Sequence, residues 1–158
     1  MKSYLEQGVP SIEEAKLLLL EAQKLNPGPW IDHSVNAGKA AELVARICLT
    51  HSFDCNHIRT SFGKWDYCNE EEYNFVKTYI ANIEYDDYDK LIQLCDSLAL
   101  PSGICLIEKR MVDVALRHGI HEHIIDKWKA TFETKRYFEE KMGKSIYSVL
   151  PCVIENTF

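Results

Sequence analysis

The sequence predicts an all-α fold. Three observations lead there: apolar residues recur at three- and four-residue spacing along most of the chain, residues that start and stop helices bracket those stretches, and no segment shows the period-two alternation of a half-buried strand. The 158 residues are 46% hydrophobic, which suits one globular domain, 1–158, with a core large enough to need no staples. No repeat period and no low-complexity segment is present.

Taken in order, Ser11-Ile12-Glu13-Glu14 has the form of a capping box and opens a helix to about Leu25, which Asn26-Pro27-Gly28-Pro29 ends. A second helix starts near Trp30 to Asp32, with an apolar stripe of Ala37, Ala40, Ala41, Val44, Ile47 and Cys48. No Gly or Pro lies between Lys39 and Gly63, so local propensity favours continuation through Ala45 to Thr50. Phe53 to Trp65 mixes Asp, Asn, Ser and Gly with aromatics and reads as an ordered loop or short helix. A third helix is expected from Asn69 to about Asn82. Tyr85 to Asp89 caps a fourth, Lys90 to Leu100, which Pro101 and Gly103 stop. The fifth covers Cys105 to His118, with Gly119 as the residue just past its end. The sixth and longest runs from about Glu122 to Met142, closed by Gly143, and a short tail helix follows near Ser145 to Leu150.

A formal net charge of −6, with basic and acidic residues intermixed, argues against a nucleic-acid polymer or an anionic membrane held by bulk electrostatics. The apolar run Leu17 to Leu20 is far too short to span a bilayer, and neither a membrane span nor a signal peptide is expected. The six cysteines include no Cys-x-x-Cys pair and several sit in apolar helical stretches, the pattern of reduced thiols in a cytoplasmic protein.

Few residues carry chemistry. The stripe of the second helix projected back by four residues lands on His33, which places an imidazole on the expected buried face. Asp96 sits within Leu91 to Leu100, a stretch so apolar that its carboxylate needs a cation, a metal or several donors. His51-Ser52-Phe53-Asp54-Cys55-Asn56-His57 gathers two His, an Asp and a Cys but matches no zinc-finger spacing. His121-Glu122-His123 lacks the second His of a metalloprotease helix and reads as an exposed helix start. Lys109, Arg110 and Arg117 either meet a substrate phosphate or form a solvated face paired with Glu108 and Asp113. No phosphate-binding loop of the P-loop type occurs.

Trp30 to Ala45, with His33 followed by Ser34 and a small-residue stripe, resembles the opening helix of HD-superfamily metal-dependent phosphohydrolases. Ile47 to Phe53 resembles a later helix end of that family bearing a further His, and Leu91 to Gly103 resembles the helix with its last metal-ligating Asp. The likeness continues through Glu108 to Gly119 and so covers most of the chain. It implies an HD-like helical bundle in which His33, His51 and Asp96 hold a divalent transition metal (Mn, Fe, Ni or Zn), while Lys109 and Arg110 hold a small phosphorylated molecule or nucleotide.

The chain departs from the family at its defining feature, because it contains no His-Asp dipeptide. Ala45 runs directly into Arg46-Ile47-Cys48, as if the segment bearing the doublet were missing, leaving the bundle incomplete. In one unbroken helix His33 and His51 stand five turns apart, ~27 Å along the axis, too far for one metal. Two readings follow: a phosphohydrolase with an incomplete metal site, or a degenerate helical module for binding or oligomerisation that self-associates through exposed apolar surface.

Overall fold

The computed structural model describes residues 11–158 except 62–64 and 67. It is mostly helical, with α1 (Ile12–Leu25), α2 (Trp30–Thr50), a 3-10 turn (Ile58–Thr60), α3 (Glu70–Asn82), α4 (Asp87–Leu98), β1 (Ala99–Leu100), β2 (Gly103–Ile104), α5 (Ile107–His118), α6 (Ile124–Met142), a second 3-10 turn (Ile146–Ser148) and α7 (Val153–Thr157). No helix among the described residues is long and apolar enough to cross a membrane. The chain divides into two compact units, one ending at Val44 and the other beginning at Ala45, so the boundary falls inside α2.

In the first unit, α1 begins as its sequence predicts. The Ser11 hydroxyl accepts the Glu14 amide at 3.2 Å and the Glu14 carboxylate accepts the Ser11 amide at 2.7 Å. The Asn26 to Pro29 turn is tied by the Trp30 indole, which donates to the Asn26 carbonyl at 2.8 Å. The burial expected of the α2 stripe is not found between His33 and Val44. His33, Ala37, Ala40, Ala41 and Val44 are all exposed, and the stripe that pointed to a buried imidazole is a solvent-facing one. Small alanines fit a helix by propensity alone, so their spacing does not by itself mark a core.

The second unit holds the cores. Leu94 and Leu98 of α4, Ile107 of α5 and Ile146 form one cluster, with Phe132 and Phe138 of α6 packed against it. Phe53, Ile58 and Ile80 form another, supported by Trp65, Tyr73 and Tyr79. The first is central because α4 packs against both α5 and α6.

The entry of α4 is fixed by charge. Asp86 caps it, accepting the amides of Tyr88 and Asp89 at 2.8 and 3.0 Å. Asp89, 1% exposed, takes the Arg46 guanidinium, the Thr50 hydroxyl at 2.9 Å and the Asp86 amide at 3.1 Å. Arg46 also donates to the Glu84 carbonyl at 2.7 Å. One helical turn on, buried Gln93 donates to the carbonyls of Thr50 and Phe53 at 3.2 and 3.1 Å. The junction residue of the sequence is therefore a structural anchor: Arg46 binds the end of α2 to the start of α4.

Two differences from the expected elements have local causes. The fourth helix ends at Leu98, and Ala99 and Leu100 pair antiparallel with Ile104 and Gly103 across a Pro101-Ser102 turn, a hairpin too short to show alternation in sequence. The tail forms only a 3-10 turn at Ile146–Ser148, and a further helix, α7, follows. Within the Phe53 to Trp65 stretch a 3-10 turn forms at Ile58–Thr60, and residues 62–64 lie outside the described residues.

Candidate functional site

Within the second unit, α4, α5 and α6 enclose an open cleft of about 350 Å³. Asp96 and Ser97 face it from α4, Arg110, Met111 and Arg117 from α5, and Lys127 and Trp128 from α6. The α5 and α6 walls follow from helical spacing: Arg110, Val114 and Arg117 recur at four and three residues, and Thr131 lies four residues from Lys127 and three from Trp128.

The charges are unevenly matched. On α5, Arg110 and Arg117 share a single carboxylate, Asp113, at 3.7 and 2.7 Å. Lys127 is fully committed: its ammonium bonds Asp54 at 2.8 Å and the Ser52 carbonyl at 2.8 Å, and the Asp54 side chain is 4% exposed. Thr131 adds a bond to Asp54 at 3.2 Å, so these contacts pin the chain after α2 to α6. Asp96 is half-buried and its carboxylate makes no hydrogen bond or ion pair with the described residues. The cleft therefore offers guanidinium charge in excess of its carboxylate on one wall and an unpaired acceptor on another, with the Trp128 ring beside them. Such a site can hold a small molecule that carries an anion, hydrogen-bond donors and a flat or apolar body.

The structure brings together only part of the residue set expected from sequence. Asp96 and Arg110 share the cleft. Lys109, one position from Arg110, is exposed and does not line it, because adjacent helical residues point about 100° apart. His33 is exposed on α2, in the other unit. His51 is half-buried just past the end of α2, where its Nδ1 donates to the Cys48 carbonyl at 2.7 Å, a helix-terminal bond of a common kind. α2 runs unbroken from Trp30 to Thr50, so the break that would fold His51 back toward His33 is absent.

The divalent metal that the family resemblance implies does not fit these side chains. Among the described residues no three of the His, Cys, Asp and Glu side chains come together as a metal-binding group. All six cysteines are free thiols; burial pushes the Cys55 thiol up to about 11, with Asp54 adding to the effect, which keeps it protonated and a poor ligand.

Sequence reasoning missed Lys127, Trp128 and Thr131 as cleft residues. Trp128 stands in the apolar pattern of α6 and reads there as core, and Lys127 has no motif of its own. No protein-family model, curated protein or solved structure matches the chain. The protein is mostly helical, with a mixed-charge cleft between three helices.

Proposed function

We propose that this chain is a degenerate relative of the HD-type phosphohydrolases, one that binds a small phosphorylated molecule in the α4–α6 cleft without metal-dependent hydrolysis. The carrying observation is the meeting of Asp96 with Arg110 and Arg117 beside Trp128. In this reading the two guanidiniums take the phosphate, since planar N–H forks match its oxygens. Asp96, acceptor only when ionised, takes hydroxyl or amino donors, and Trp128 stacks on a base or sugar ring. A nucleoside monophosphate or sugar phosphate has all three features.

Hydrolysis by the family chemistry needs a metal to polarise the phosphate and acidify water, and no group of donors for one is found among the described residues. A binding role asks only for the cleft.

Calorimetric titration with a nucleoside monophosphate and a hexose phosphate tests the reading. Binding of one of them, weakened about tenfold or more in Arg110→Ala by loss of charged hydrogen bonds and unchanged in Lys109→Ala, is the expected result. Absence of binding by both at millimolar concentration overturns the cleft assignment. Manganese-dependent phosphate release that disappears in Asp96→Ala overturns the non-catalytic half.

A further inference from the structure

Three histidines that the sequence leaves in separate motifs meet in the second unit. His57 stands at the start of the 3-10 turn Ile58–Thr60, and His121 and His123 lead into α6. The ring centroids of His57 and His123 lie 4.2 Å apart, and those of His121 and His123 lie 6.3 Å apart.

Their hydrogen bonds use Nδ1 as acceptor. His57 Nδ1 accepts the Arg59 backbone amide at 3.3 Å, and His121 Nδ1 accepts the His123 backbone amide at 3.2 Å. A backbone amide can only donate, so both Nδ1 atoms present lone pairs, the arrangement of an imidazole with hydrogen on Nε2. Protonation would place an N–H against each amide N–H. Each turn would lose its side-chain acceptor at the same moment that like charges appear a few ångströms apart.

The surrounding charges do not cancel that penalty. Glu122 lies 3.2 Å from His123 Nε2 and 3.5 Å from Arg59, and with 69% of its side chain exposed it is shared and largely in water. Lys127, in the first turns of α6, opposes a charge on His121, and its own counterion is Asp54. Asp126 is the remaining carboxylate of the first turn.

A transition metal is a poor alternative occupant. Coordination through Nε2 requires hydrogen on Nδ1, so a metal would have to break both amide contacts, and no metal-binding group is found among the described residues.

We infer that His57, His121 and His123 form an acid-sensitive latch, which holds the Ile58–Thr60 turn against the start of α6 while the rings are neutral and loosens it when they charge. The latch stands on this geometry alone. Its effect on ligand rests on the cleft assignment above: Ser61 follows the turn directly, and Lys127 and Trp128 lie just inside α6, so both latched segments carry cleft residues.

The test uses the ligand-free full chain. Amide hydrogen exchange is followed by NMR at pH 7.5 and 5.5, with protection corrected for the intrinsic rate. The Arg59 and His123 amides should lose about tenfold in protection as each loses its side-chain acceptor, while the core amide of Leu94 changes less. The double variant His57→Asn/His121→Asn keeps an acceptor at each position but cannot titrate, and should lose most of the response. Equal protection at both pH values in the wild type, a full response in the double variant, or stoichiometric zinc binding that broadens all three imidazole signals would each overturn the latch. If neither a nucleoside monophosphate nor a hexose phosphate binds at either pH while the exchange response is present, the cleft assignment fails and the latch stands.

Discussion

At the residue scale the dominant interaction is Arg46 with Asp89. A carboxylate that is 1% exposed cannot be left without a cation, and here it collects a guanidinium, a hydroxyl and a backbone amide. Burial alone would raise its pKa, but the Arg46 guanidinium, the Asp86 amide and the Thr50 hydroxyl outweigh burial and hold it below the ordinary Asp value. Arg46→Ala should therefore destabilise by about 3 kcal/mol, the low end for a broken buried pair because 27% of the Arg46 side chain already meets water. Replacing both partners with apolar residues, Arg46→Met with Asp89→Leu, should recover more than half of that loss, since the cost lies in the orphaned charge. Urea denaturation of the three variants decides the matter, and a double variant no better than Arg46→Ala would show that the anchor works by geometry instead.

At the element scale, what was legible in the sequence is what acts over three or four residues. Ser11 with Glu14 is the capping box expected from the sequence, and α1 begins there; Asn69 with Glu72 and Asp86 with Asp89 close in the same way, the latter starting α4 at Asp87, three residues before the expected Lys90. Gly119 and Gly143 likewise end α5 and α6 at positive φ, 83° and 67°. Their ψ angles differ, and with them the expected cost of a side chain. Gly143, at ψ 19°, is in the left-handed helical region that other residues visit, whereas Gly119, at ψ −172°, is in a region almost exclusive to glycine. An added Cβ meets nothing within 4 Å at either site, so only backbone strain is at stake. Gly143→Ala should cost about 1 kcal/mol and Gly119→Ala clearly more, about 2 kcal/mol, as read from thermal denaturation. Equal costs would mean that the α5 terminus relaxes. The start of α5 was not legible in the same way. Leu106 supplies no side-chain cap, and the amides of Leu106 and Ile107 are instead met by Thr157 and Tyr147 from the end of the chain. The Arg46 to Asp89 pair, 43 residues apart, was hidden for the same reason. Of the candidate site, Asp96 and Arg110 were found because a carboxylate and a guanidinium in helical stripes are visible one at a time. The departures at His33 and Lys109 arose because spacing gives a helix face without saying which face is covered.

At the scale of the whole molecule, the titrating groups predict two separate steps in stability as pH falls. Burial lowers the His121 pKa below 6.5, reinforced by His123 and Lys127 and opposed by Glu122. The folded state therefore resists taking a proton that the unfolded chain accepts. Stability from this source is complete above 6.5 and declines as pH falls from 6.5 through the lower folded value. Asp89 behaves in the same direction in a lower window. Its folded pKa is below the ordinary 3.8, so its contribution is complete above 3.8 and is lost as pH falls through the folded value, when the Arg46 pair finally breaks. Free energies of unfolding measured from pH 8 to 3 should thus show a plateau, a shallow decline beginning near 6.5, and a steeper loss below about 4. The variants assign the steps. His57→Asn/His121→Asn should flatten the first decline and leave the second, and Arg46→Met/Asp89→Leu should leave the first and reduce the second without removing it, because Glu139 and Asp87 are also held below their ordinary values. A first decline that persists in the histidine double variant would place its origin in the remaining histidines and remove the latch as its cause.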